Sequence, residues 1–176
     1  FEREAVLNPE GLLELRSATF PEVVFVQVAS PLSYHVSASL PSLLANATSN
    51  ATMVVDGIEQ LYQVLQRAAA TARTMPNRVA DQFCAKTQAL PKTTEAERLV
   101  VQRVGQDLFR AALLDYWQDR CCVTALAVPS LLRASHIKPW AKCASDNERL
   151  DVFNGLLLAP HLDALFDGGW ISFSDQ

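Results

Sequence analysis

The chain has 176 residues, 49% of them apolar, and carries a net charge of −4. That is one large or two small domains, with enough apolar side chains to bury a core. No apolar run approaches the roughly 18 residues of a membrane span, and the acidic balance excludes a partner held by a global positive field.

The first residues, Phe1-Glu-Arg-Glu, are charged and lack the apolar region of a secretory leader. Four cysteines (Cys84, Cys121, Cys122 and Cys143) are too sparse for a disulfide framework, and the adjacent pair does not form a C-x-x-C knuckle. A reducing cytoplasm is the expected compartment.

Val6, Leu12, Leu13 and Leu15, with Pro9 suited to a helix start, predict a short helix at the N-terminus. Residues 21–29 are β-branched and aromatic and read as a buried strand. Residues 30–50 are rich in Ser, Ala, Asn and Pro, with one strand expected around Tyr34–Leu40. Thr52 to Val55 predicts another strand, turning at Asp56-Gly57. Ile58, Leu61, Tyr62, Leu65 and Ala69 recur at helical spacing up to about Met75, where Pro76 intervenes. Together these make a small N-terminal α/β domain over residues 1–90. Its role is open among target recognition, homodimerisation and docking of a regulatory partner. His35 has no partner by sequence and reads as an ordinary surface or half-buried histidine.

Residues 77–93 hold a short helix at most and are expected to link this domain to a second, 91–176. Thr94 and Glu97 have the spacing of a capping box. Leu99, Val100, Val104, Leu108, Phe109, Ala112, Leu113, Tyr116 and Trp117 continue a stripe about six turns long. Arg103 and Arg110 lie two turns apart on this helix, as solvated charge or as contacts to phosphates. Cys121 to Thr124 and Leu131 to Ile137 then predict two short strands joined by a turn at Val128-Pro129-Ser130. Gly155 to Ala159 is an apolar run entering the core. Pro160 opens a short helix ending before Gly168-Gly169, and 170–174 alternates like a closing strand.

The informative stretches are Leu-Leu-Arg-Ala-Ser-His-Ile-Lys-Pro-Trp at 131–140 and Val-Phe-Asn-Gly-Leu-Leu-Leu-Ala-Pro-His-Leu-Asp-Ala-Leu-Phe-Asp at 152–167. A strand delivering His136, a loop centred on Asn154 and a helix carrying His161 and Asp163 would converge on one small volume. This segment resembles the HNH nucleases with a ββα-metal finger, in particular the bacterial subgroup reading A-S-H-I-K-P-W, N-G-L-L-L and L-F-D. With the residues before it, the resemblance extends over about 94–176. It implies an α+β chain: a long helix, then a ββα-metal finger, behind the N-terminal domain.

The resemblance also implies a chemistry, DNA endonuclease activity with defence against foreign DNA by restriction as its setting. His136 would be the general base, and Asn154 would brace the loop and orient it. Asp163 would bind one divalent ion, Mg²⁺ or Mn²⁺ before Zn²⁺ or Ni²⁺, with His161 as second ligand. Ser135 stands where many members carry a metal-binding Asp, and the usual L-F-D-R-G ends in Gly-Gly here. DNA would be held locally, since Arg98 to Arg149 carries eight basic residues against five acidic ones. Lys138 is the expected phosphate contact beside the scissile bond, Arg133 a brace of the finger, and Arg103 and Arg110 an extension of the track. Two alternatives stand beside this: an inactive HNH-fold module binding DNA or protein, and a structural zinc site made of Cys121, Cys122, Cys143 and His136.

Overall fold

Asn8, Pro9 and Gly11 reverse the chain within four residues. The Asn8 carboxamide oxygen accepts the backbone N–H groups of Glu10 and Leu12, and Gly11 takes the left-handed conformation that closes the turn. The structure is a computed structural model describing residues 5–44, 52–91 and 93–173. In it the expected N-terminal helix is a hairpin of β1 (Val6–Leu7) and β2 (Leu12–Leu15). Pro9 fits a turn as readily as a helix start, and the asparagine and glycine around it decide between them.

Three further strands follow, β3 (Val24–Ser30), β4 (Ser33–Ala38) and β5 (Thr52–Asp56), giving a five-stranded antiparallel sheet in chain order. Val26 pairs with Val36, so both point to one face, and Val24 and Val55 join them there, all buried. His35, one residue off that alternation, is exposed on the other face. Gly57 at φ 81° turns the chain into α1 (Ile58–Arg73), which contacts β5 and buries Leu61 and the alanines from Ala68. The expected residues 45–50 of the Ser- and Asn-rich stretch lie outside the described ones.

The chain divides into two compact units, Phe1–Arg73 and Thr74–Gln176. The stretch expected to be a linker over 77–93 instead carries α2 (Pro76–Thr87), within the second unit. Pro76 is α2's first helical residue, where a missing N–H costs nothing, so the proline that separates it from α1 also begins it. Val79, Ala80 and Phe83 of α2 are buried in the core that α3 (Glu95–Tyr116) dominates. Thr94 and Glu97 cap α3 reciprocally. Leu108, Phe109, Ala112 and Leu113 form its buried face.

Beyond α3 come β6 (Arg133–His136), the single-turn α4 (Asp146–Arg149), β7 (Gly155–Leu158) and α5 (Pro160–Asp167). β6 pairs antiparallel with β7, His136 opposite Gly155 and Arg133 opposite Leu158. The second unit is thus a helical core with one two-stranded ribbon, and the whole chain is mixed α/β with antiparallel sheets. Cys121 to Thr124, expected to be β6's partner, is a tight turn instead. The Cys121 sulfur accepts the N–H of Thr124 at 3.4 Å and that of Ala159 at 3.2 Å, which ties the turn to the entry of α5. Nor do residues 170–173 form the expected closing strand, and Ser174 lies outside the described residues.

The turn closes through Ala125, whose N–H donates to the Cys121 carbonyl at 3.0 Å while its own φ is 57°. A Cβ costs about 1–2 kcal/mol in that region. Glycine would remove this cost at the expense of greater freedom in the unfolded chain. Ala125→Gly is therefore expected to stabilise the second unit by roughly 0.5–1 kcal/mol, a rise of several degrees in Tm for a unit of this size. A lower Tm would show that the turn carries no such strain.

Candidate active site

Alternation along β6 sends its side chains to two different helices. Ala134 and His136 face α3, and Ser135 faces α5. His136 lies flat on Phe109, ring centroids 3.8 Å apart and planes 16° from parallel, and stands edge-on to Trp140 at 5.7 Å. Its Nε2 is 2.8 Å from the carbonyl oxygen of Arg149. A carbonyl only accepts, so Nε2 carries the proton in the neutral ring and Nδ1 keeps its lone pair. Burial holds the His136 pKa below the usual histidine value, partly offset by the Arg149 carbonyl. The ring at neutral pH is an uncharged base with one nitrogen already committed.

The close stack explains a glycine. A Cβ on Gly155, the residue facing His136 across the ribbon, would come 2.3 Å from the Phe109 ring. Gly105, one turn earlier on α3, similarly makes room for Trp140, 2.4 Å from where its Cβ would lie. Two glycines, one on β7 and one on α3, thus make room for the two aromatic rings that meet His136, Phe109 from α3 and Trp140 from the connector.

Asn154 ties down the connector after β6. Its Oδ1 accepts the N–H of Lys138 at 2.8 Å, and its Nδ2 donates to the carbonyls of Glu148 at 3.1 Å and Lys138 at 3.3 Å. Its own carbonyl accepts from Ile137, continuing the ribbon by one bond. On the opposite face Ser135 is buried, and its hydroxyl donates to Oδ1 of Asp163 on α5. The structure therefore brings His136, Ser135, Asn154 and Asp163 to one end of the ribbon. His161 is exposed on the first turn of α5. That helix is regular from Pro160, so His161 and Asp163 diverge by roughly 200°.

The donor chemistry can be tested against a divalent ion. Asp163 and Ser135 offer hard oxygens side by side, on the face of β6 opposite His136, and one carboxylate with one hydroxyl suits an ion that keeps most of its waters, as Mg²⁺ does. Among the described residues no three His, Cys, Asp or Glu side chains gather into a metal-holding group. That removes the zinc site considered above. Cys121 is occupied by backbone N–H donors, Cys143 accepts from Asn154 at 3.4 Å, and His136 is bonded to Arg149.

The basic residues sort differently from expectation. Arg110 donates to the carbonyls of Leu132 and Pro129, bracing the chain as it enters β6. Lys138 is ion-paired with Glu148, whose carboxylate also accepts the Ala144 N–H and is held below the usual carboxylate range by these bonds. Arg103 is exposed, with Asp107 at 3.7 Å. Arg133 is exposed at the start of β6, on Ser135's side by alternation.

Residues 121–174 match the family model of the HNH endonucleases. This segment is an HNH domain. The match contains β6, β7, α5 and every residue of the ribbon end, and it points to a nuclease or nucleic-acid-related function for this segment. No curated protein matches the chain. Among the described residues no helix is long and apolar enough to cross a membrane. His136 nevertheless rests on Phe109, which precedes the matched segment. Phe109 and Arg149 were not singled out from sequence: one was a stripe position like its neighbours, and the other lay in a polar connector.

Proposed function

We propose that the HNH domain hydrolyses phosphodiester bonds in DNA, with His136 as the general base. The observation that carries this reading is the state of the ring: Nε2 is engaged by the Arg149 carbonyl, so the lone pair on Nδ1 is the one available to take a proton from water. Asp163 and Ser135 would hold one divalent ion, Mg²⁺ or Mn²⁺ by the hardness of their oxygens, with His161 outside its reach. Bound there, the ion would neutralise charge on the phosphate and on the leaving oxygen. Asn154 keeps the connector folded against the ribbon, which holds in place the carbonyl that His136 faces.

Arg133 and Arg103 are proposed to meet phosphates, because their side chains point to solvent, whereas Arg110 and Lys138 are engaged within the protein. The setting we favour is restriction of foreign DNA in the cytoplasm. A binding module without activity is the second reading, favoured by Ser135, whose hydroxyl is a weak ligand and already binds Asp163.

Nicking of supercoiled plasmid decides between them. The full chain with Mg²⁺ or Mn²⁺ is expected to nick, and a chelator to stop it. A folded preparation that binds DNA but leaves plasmid intact with both ions supports the binding module. Equal nicking in chelator would remove the ion from the mechanism.

A further inference from the structure

We propose that Arg149 is the positioning residue that fixes His136 in its base-competent tautomer; the proposal rests on the reading of His136 as the base. Its backbone carbonyl accepts from His136 Nε2 at 2.8 Å. A carbonyl aims only as well as the backbone that carries it. The connector from Lys138 to Arg149 has little regular structure to do this: a 3-10 turn at Trp140–Lys142 and the four residues of α4.

The Arg149 side chain supplies the missing rigidity. Its Nη2 donates to the Cys143 carbonyl at 2.7 Å, Nε to the Trp140 carbonyl at 3.2 Å and Nη1 to Asp146 Oδ1 at 2.9 Å. Its guanidinium also lies 5.9 Å from the centre of the Trp140 ring, the ring standing edge-on to His136. One planar fork therefore gathers three points of the connector and one aromatic wall of the base, while the same residue's carbonyl holds the base itself. Asn154 makes an adjacent tie, to the carbonyl of Glu148. A phosphate-binding role fits poorly, because each guanidinium nitrogen already has a protein acceptor and the side chain is only 24% exposed. A lysine would keep the charge but lose the fork.

The test reads the tautomer directly. Long-range ¹H–¹⁵N spectra of the His136 ring are recorded on the full chain at about pH 8, above the ordinary imidazole pKa. Wild type is expected to show the Nε2–H form alone. Arg149→Lys should show a mixture of tautomers, and Asp146→Ala, which removes one of the three acceptors, a smaller shift the same way. In plasmid cleavage, Arg149→Lys should lose on the order of 10- to 100-fold in kcat with little change in KM, as expected for a misaligned reacting group. A single Nε2–H tautomer in Arg149→Lys overturns the proposal, as does a raised KM at unchanged kcat. Should Arg149→Lys fail to fold, Asp146→Ala decides, and a wild-type spectrum there overturns it. The spectra need no cleavage, so a wild-type chain that does not cut DNA would defeat the nuclease reading and leave the tautomer result standing.

Discussion

His136→Ala is expected to slow DNA cleavage by about 10²–10⁴-fold, the usual contribution of a positioned general base. The variant should still bind DNA, because Arg103 lies on α3 away from β6 and Arg133 points to the opposite face of β6 from the imidazole. The ring is half-buried, so its loss opens space against Phe109 and some stability will go with it. A melt therefore accompanies the rate, and the comparison is made well below the variant's Tm. His136→Gln, which fills more of the space but cannot act as a base near neutral pH, should be equally slow. Single-turnover cleavage within a few-fold of wild type in either folded variant would take His136 out of the chemistry.

Phe109→Ala carries the largest expected cost in stability, about 3–5 kcal/mol. Phe109 is 1% exposed, lies in the middle of the second unit's core, and fills the contact that obliges residue 155 to be glycine. A domain's whole stability is typically about 5–15 kcal/mol, so the second unit should melt far lower or not fold at all. Phe109→Leu keeps most of the buried volume and should fold, yet it removes the flat surface under His136. It is expected to separate the two roles, with a modest fall in Tm and a clear fall in kcat. Thermal unfolding and single-turnover rates of both variants check this. A Phe109→Ala protein that melts within a few degrees of wild type would mean the ring is not packed as described.

Much of the core was legible because periodicity survives any detail of packing. The stripe on α3, the β-branched runs of β3 to β5 and the Thr94–Glu97 cap each declare themselves locally. That 131–140 and 152–167 share one end of a ribbon was also legible, from a long ordered motif. The misread pieces share a different cause. Residues 121–124 have strand-like composition, but a cysteine sulfur accepting two N–H groups and an alanine at positive φ make them a turn, and neither leaves a mark in the residue types. Residues 6–15 hold apolar side chains that suit a helix or a hairpin, and only the Asn8 carboxamide bonds settle which. Arg110, Lys138 and Arg149 were not legible as internal ties because, besides the Glu148 and Asp146 carboxylates, their acceptors are backbone carbonyls. Such acceptors exist at every position of every chain, so sequence cannot say which of them a guanidinium will find.

Phe109 and Gly105 on α3 also bear on how this HNH domain can be moved. The segment that matches the family model begins at Cys121, but the ring under His136, the room for Trp140 and the Arg110 brace of β6 all come from the helix before it. The part that has to stay together is therefore larger than the matched part. Fusing 121–174 to another protein would transfer the motif and leave behind the wall it folds against. A graft that keeps its catalytic geometry has to begin no later than the Thr94 cap, and a natural rearrangement of this domain would have to carry the same helix with it.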